Sequence, residues 1–462
     1  MPTLLLPLAC LLQSCDSGKV RPWQAGDELV VVTCAGPLTY AKDDQGRESG
    51  FEHDLAAGFA RETGVRARFL VVGNYREVRQ ALAEGRGHLG AAWLTRERSD
   101  DQDFQATTPF YQSGHVLVQH ESARPITDLS QLAGATVHVV ARARHAEILA
   151  AIPALNPPLV VQEHPEWSDL DLLQAVAEKR VGLALTDAPV LDVAQNYYPQ
   201  LVSQLDMGRE QPISWIFPRQ TDPELIAKAE AYLGRVAKDG TLDRLEDRYF
   251  GHIQRLQQQD VVQFIDRIQA VLPKFRKHFQ AAQAATALDW RLLAALAYQE
   301  SGWDPLATSY TNVRGMMMLT EDTADRMGVT NRLDSQQSIT AGARYLAWLR
   351  EQLPAAVQEP DRTWMALAAY NLGRGHFNGA QQIAPRLKAD PNSWFDMKRV
   401  LPLLSRPQYY TRLRAGRARG GEAVIMVENV RMFYDILCRR ELPFHPAQDL
   451  IAKTEGPGLK AH

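Results

Sequence analysis

Glu300 closes the apolar run 290–300 and is followed at once by Ser301-Gly302. Leu292, Leu293, Leu296 and Ala297 recur at the spacing of one helix face, and Asp289 just ahead is a residue type that caps helix N-termini. The pattern predicts a helix with one buried face and Glu300 at its C-terminal end. The negative pole of the helix dipole and the loss of water both disfavour a carboxylate there, so the group should stay protonated to unusually high pH. A general acid requires that. The nearest further acid, Asp304, precedes Pro305 in a segment that reads as a turn and is better suited to stabilising that loop. Glycoside hydrolases normally use two carboxylates, whereas a lone glutamate suits a reaction in which the substrate supplies its own nucleophile. A surface glutamate at a helix end has the same local pattern. The weight therefore falls on the ordered set that follows: Gly315-Met316-Met317-Met318-Leu319-Thr320, Ala369-Tyr370-Asn371 and Val427-Glu428-Asn429.

Other chemistries find little support. The twelve histidines show no His-Glu-x-x-His spacing and no Cys-His cluster, so no metal and no cofactor is expected. Gly373-Arg374-Gly375 follows Asn371 and reads as a helix-ending turn rather than a phosphate loop. A formal charge of -3 argues against a nucleic-acid partner, which needs a dominant basic surface. Four cysteines are too few for a disulfide scaffold, and Cys34 and Cys438 are too far apart for the sequence to support a bridge.

The elements that must hold these residues fall into two textures. From 28 to 251, short apolar runs at 29–33, 67–72, 88–93, 137–140, 159–162 and 182–185 alternate with amphipathic stretches at 54–62, 75–84, 145–151 and 170–178. Short strands spaced by helices predict an α/β fold with largely parallel sheets, and two such series predict two lobes with a cleft between them. Residues 252–272 read as a polar linker helix. From 273 to 447 the periodicity is helical almost throughout, which predicts an all-α domain. The first 15 residues look like a secretory signal with an apolar core at 4–12; 16–27 read as a linker and 448–462 as a flexible tail.

Some of these residues carry resemblances. Leu12-Gln13-Ser14-Cys15 resembles the lipobox of bacterial lipoproteins, which implies lipidation of Cys15 and tethering to a membrane, with the rest of the chain in the periplasm. The outer membrane of a Gram-negative bacterium is the expected site. Gly50-Phe51-Glu52-His53-Asp54-Leu55, Leu94-Thr95-Arg96-Glu97-Arg98 with Thr107-Thr108-Pro109-Phe110-Tyr111, and Lys238-Asp239-Gly240-Thr241-Leu242 ending in Tyr249-Phe250-Gly251 resemble family 3 periplasmic solute-binding proteins. That resemblance implies a carboxylate-gripping role for Arg98 and an amine-binding role for Asp187, with a muropeptide or amino acid as regulatory ligand.

The set beginning at Glu300-Ser301 resembles the lytic transglycosylase domain of the goose-type lysozyme superfamily. The chain as a whole is similar to the branch that joins a family 3 binding module to that domain. The resemblance implies a lysozyme-like fold, peptidoglycan as substrate and Glu300 as the catalytic acid. It places Ser301, Gly315, Met317, Met318, Tyr370, Asn371 and Glu428 at the substrate, Gly315 by close backbone approach to a sugar and Met317 against an apolar sugar face. Met318 stands where many relatives have glutamine, and Met426 where tyrosine is often found. The implied product is a 1,6-anhydromuramoyl end; a hydrolytic muramidase and a lipid-anchored sensor with an inactive catalytic domain are the alternatives.

Overall fold

The computed structural model describes residues 19–23, 28–43, 46–95, 100–141, 145–250 and 258–445. Cys15, Arg98 and the tail 448–462 lie outside them. The chain divides into two units, one of Met1–Val190 with Ser203–Leu245 and the other of Leu191–Val202 with Glu246–His462. Among the described residues no helix is long and apolar enough to cross a membrane.

The first unit is built on two five-stranded sheets. In space, one runs Arg66–Val72, Glu28–Cys34, Leu89–Gly90, Ile216–Pro218, Phe104–Ala106; the other runs Val160–His164, Thr136–Val140, Leu183–Asp187, His115–His120, Leu201–Asp206. Glu28–Cys34 sits inside the first sheet, and its residues from Leu29 to Val32 are buried on both faces. A continuous apolar run is what a covered strand needs. Helices Phe51–Glu62 and Tyr75–Ala83 pack against this sheet, and Asp169–Ala177 packs against the second.

The expectation of largely parallel sheets needs correction. Ile216–Pro218 runs antiparallel to both of its neighbours, and His115–His120 runs antiparallel to Leu183–Asp187. Both strands enter from segments that carry the chain from one sheet to the other, not from a helical crossover, so nothing forces them parallel. The expected strand over 88–93 shrinks to Leu89–Gly90.

The second unit is all-α, with helices Arg276–Thr286, Trp290–Ser301, Ser335–Glu351, Asp361–Leu372 and Gly420–Arg440 around one core. The helix Gln258–Ala270 is no linker. Its Val261, Phe264 and Ile268 recur at 3.6-residue spacing and are buried in that core, and the Phe264 ring lies 4.4 Å from those of Tyr298 and Phe433. Within the expected 28–251 stretch, Leu191–Val202 packs with the second unit: Arg439 Nε donates to the Tyr198 hydroxyl at 3.1 Å and Arg440 Nη2 to the Tyr197 carbonyl at 3.0 Å.

Candidate active site

The helix Trp290–Ser301 carries the acid, and local chemistry fixes both of its ends. Asp289 Oδ1 accepts from the Arg291 backbone N–H at 2.8 Å, capping the first turn, while Oδ2 accepts from Arg291 Nη2 at 2.8 Å and the Tyr434 hydroxyl at 3.0 Å. At the other end Gly302 is left-handed, φ 62°, and its N–H donates to the Tyr298 carbonyl at 2.7 Å. A side chain there would oppose the helix stop. Trp303 follows with φ 61°, an unusual angle for a bulky residue, held by its buried ring and by Nε1 donating to the Ala294 carbonyl at 2.8 Å. The chain thus leaves the helix abruptly, one residue after Ser301.

Glu300 keeps part of its surface exposed while protein surrounds the carboxyl. Burial pushes that carboxyl up to about 8, and no ionic neighbour contributes. Among the described residues no hydrogen bond or ion pair engages it. Asp304 is occupied elsewhere, its Oδ1 accepting from the Leu306 N–H at 2.9 Å.

The loop 314–319 is laced to the helices, in part by residues that the family resemblance places at the substrate. Arg314 and Leu319 exchange backbone hydrogen bonds at 3.1 and 3.0 Å, closing a tight turn over the residues between them. Ser301 Oγ donates to the Met316 carbonyl at 2.8 Å, and the Tyr370 hydroxyl donates to the Met317 carbonyl at 2.7 Å. The Met317 N–H donates to Ser338 Oγ at 3.1 Å. Burial, with the nearby Glu300 charge adding to it, pushes the Tyr370 phenol well above its ordinary value, so Tyr370 stays a donor.

Three expectations change. Gly315 is required by the fold: its φ is 83°, and a Cβ would lie 1.8 Å from the Arg332 carbonyl oxygen. The close approach that the structure shows is to Arg332. The Met317 side chain is wholly buried over Gly342 and cannot face a glycan. Glu428 is wholly buried as well; its carboxylate accepts from Trp394 Nε1 at 2.7 Å and from Arg431 Nη1 at 3.1 Å, with Lys398 Nζ 3.8 Å away. Saturated in this way, it ties helices together. Met318, φ 45° and partly exposed, and Asn371, exposed at the end of its helix, do reach the surface.

Sequence reasoning passed over Tyr345 and Trp348. Both are partly exposed, their rings are stacked at 5.8 Å, and Tyr345 lies 5.4 Å from Tyr370. Arg326 and Arg374 sit 5.2 and 5.4 Å from the Trp348 ring. The i, i+3 spacing of two aromatics was the available signal.

In the first unit Asp187 is buried at the end of its strand, and Ser113 Oγ donates to its Oδ1 at 3.0 Å. Burial alone would raise this carboxyl, yet the His115 and His145 imidazoles beside it hold it well below the usual range. Sequence reasoning missed both histidines. Arg98 lies outside the described residues, so the structure does not bring it to Asp187.

Comparison with known proteins fits both units. The bacterial extracellular solute-binding proteins of family 3 match residues 29–252, and the transglycosylase SLT domain matches residues 277–392. Together with the helical fold around Glu300 they define a lytic transglycosylase with a solute-binding-protein-like domain ahead of it. Membrane-bound lytic murein transglycosylase F of Methylobacillus flagellatus is 42% identical over 462 residues, covering 98% of this chain and 97% of that protein. The same protein of Nitrosospira multiformis is 41% identical, covering 96% and 93%. The chain belongs to the membrane-bound lytic murein transglycosylase F family. A solved ancestral arginine-binding protein bound to arginine is 22% identical, with a TM-score of 0.45 over 49% of this chain and 99% of that one.

Proposed function

We propose that the second unit breaks the β-1,4 bond between N-acetylmuramic acid and N-acetylglucosamine in peptidoglycan without water, with Glu300 acting first as acid and then as base. Protonated Glu300 gives its proton to the glycosidic oxygen as the bond from that oxygen to muramoyl C1 breaks, and the oxygen leaves as the 4-hydroxyl of N-acetylglucosamine. The muramoyl 6-hydroxyl then closes onto C1, with the N-acetyl group assisting at that carbon. The Glu300 carboxylate takes the hydroxyl proton and is restored. The product is a 1,6-anhydromuramoyl end.

The observation that carries this reading is the Glu300 carboxyl, raised to about 8 by burial and engaged by no neighbour among the described residues. Such a group is protonated at neutral pH and free to meet the substrate. Ser301 and Tyr370 hold the loop 314–319, and Met318 and Asn371 are offered to the glycan. Mass spectrometry of digested sacculi tests the reading, because anhydro ends are lighter than hydrolytic ends by one water. Reducing ends without anhydro ends would indicate a muramidase, and no released fragments an inactive sensor; either would overturn it.

The same reading tethers the chain by a lipid on Cys15 to the outer membrane, facing the periplasm, which the lipobox-like sequence and the membrane-bound family support. The variant Cys15→Ala should move from the membrane to the soluble fraction. It also gives the first unit a muropeptide or amino-acid ligand near Arg98 and Asp187, supported by the solute-binding family match. Calorimetric titration of the full chain with muropeptides and amino acids checks this.

A further inference from the structure

Three side chains in the first unit meet where their places in the sequence give no hint of it. Asp187 ends the strand Leu183–Asp187, and its cross-strand partner in the antiparallel pair is His115, the first residue of His115–His120. His145 opens the helix His145–Ala150, which follows the strand Thr136–Val140 on the other side of Leu183–Asp187. One donor atom from each of the three lies within 4.8 Å of the others, and all three residues are buried.

Their contacts are poor ones for a finished hydrogen-bond network. His115 Nδ1 is 3.1 Å from Asp187 Oδ1 but off the hydrogen-bonding direction, and its Nε2 has no partner. His145 Nε2 is 3.6 Å from Asp187 Oδ2, beyond hydrogen-bond reach, and its Nδ1 is also unpartnered. Buried polar groups are nearly always satisfied, so several orphaned nitrogens around one carboxylate need an explanation. A small divalent cation supplies one. Tetrahedral zinc holds imidazole nitrogen and carboxylate oxygen about 2.0–2.2 Å from itself, which places its donors about 3.3 Å apart; here each histidine already lies 3.1 or 3.6 Å from one Asp187 oxygen, and one donor atom of each residue falls within 4.8 Å of the others, so small side-chain rotations close the set.

The surroundings agree. Ser113 Oγ donates to the Asp187 carboxylate at 3.0 Å and orients it, the outer-shell support that metal-binding carboxylates receive. Asp169 is buried beside this group with its Oδ1 unpartnered, so two carboxylates stand ready to balance a double positive charge in a place where an unbalanced one would be costly. The Asp187 side chain is 10% exposed, which leaves the group an edge towards solvent.

We infer that His115, His145 and Asp187 form a binding site for one divalent transition-metal ion of the zinc class, with the fourth coordination position left to water or to a donor atom of a second ligand. Two imidazoles and one carboxylate around an open position form the donor set of a zinc centre that can exchange its fourth ligand. The inference does not rest on the chemistry proposed at Glu300.

The test uses the full chain without a tag, stripped with chelator and then titrated with zinc ion by calorimetry, and with cobalt ion by visible absorption. One equivalent of zinc should bind with micromolar or tighter affinity, and cobalt should develop the intense visible bands of a four-coordinate site. Both His145→Ala and Asp187→Asn should weaken zinc binding by about 100-fold or more while the far-ultraviolet circular dichroism stays that of the parent. A control is His138→Ala, which removes one of a half-exposed pair whose nitrogens lie 2.8 Å apart, His138 and His164; it should leave the stoichiometry at one. No zinc binding by the parent chain, an octahedral cobalt spectrum, or loss of the equivalent in His138→Ala would each overturn the assignment. The cobalt spectrum of the parent decides even where a variant fails to fold.

Discussion

Glu300 is stabilised in its neutral form, and this has opposite consequences for chemistry and for stability. An unfolded glutamate titrates near 4.5, whereas the folded carboxyl is raised to about 8. Below pH 4.5 both states are protonated and the group costs nothing. As pH rises from 4.5 towards 8 the unfolded chain gains by ionising while the folded one does not, so stability falls through that window and levels off above it. The variant Glu300→Gln removes the difference. It should release no muropeptides, yet be more stable than the parent at pH 8 by an amount on the order of 1–3 kcal/mol, once residual solvent access at the carboxyl is allowed for, and so unfold at a higher temperature. Calorimetric melting of both proteins at pH 5 and pH 8 checks it; an equal gap at the two pH values would place the raised carboxyl elsewhere. In the parent, turnover should decline as pH rises through about 8, where the acid loses its proton.

At the scale of elements, the turn closed by Arg314 and Leu319 is only as well placed as its ties. Tyr370→Phe keeps the ring against Tyr345 and removes a donor to the Met317 carbonyl, the single one among the described residues, a loss of about 1–3 kcal/mol if that carbonyl is left buried and unpaired. Urea unfolding measures the loss. Cleavage measured where the variant is fully folded should fall as well, and undiminished cleavage would show that the turn does not depend on this bond for its position.

Glu428 makes a different demand, because its carboxylate balances Arg431 and Lys398 inside the core. Glu428→Gln should cost about 1–3 kcal/mol, below the cost of a wholly unpartnered buried charge, because Lys398 keeps Asp247 and Arg431 keeps the Asp247 and Arg248 carbonyls. Cleavage per folded molecule should be kept. Lost cleavage with unchanged stability would restore the substrate role that the family resemblance implies.

These elements also show what a sequence can reveal. The acid helix was legible because Leu292, Leu293, Leu296 and Ala297 repeat at its period and Asp289 and Gly302 mark its ends. Helix Gln258–Ala270 was mistaken for a linker because glutamines dilute its stripe of Val261, Phe264 and Ile268. Glu428 could not be placed because its partners Trp394, Lys398 and Arg431 become neighbours only through packing. Likewise, cross-strand register brings His115 opposite Asp187, and register depends on pairing that no local pattern records.

At the scale of the whole molecule, each unit has a hydrophobic core of its own. One core is drawn from the second unit's helices, and the first unit has separate clusters on its two sheets, such as Val32 with Leu82 and Ile216, and Leu117 with Val137 and Leu185. Two units packed each about its own apolar residues predict two calorimetric transitions rather than one, since cooperativity follows shared packing and multidomain chains seldom unfold in a single step. The perturbations already described should sort between them. Glu428→Gln should lower one transition, and Glu300→Gln at pH 8 should raise that same one. Zinc ion at about 100 times its dissociation constant should raise the other by about 2.7 kcal/mol, the stabilisation expected of a ligand that binds only folded protein. The assignment of the second transition can be fixed with Asp187→Asn, which should abolish the zinc-dependent rise and leave the response to Glu300→Gln untouched. A single transition displaced by all of these changes would mean that the two units unfold as one, and the expectation of two transitions would fail.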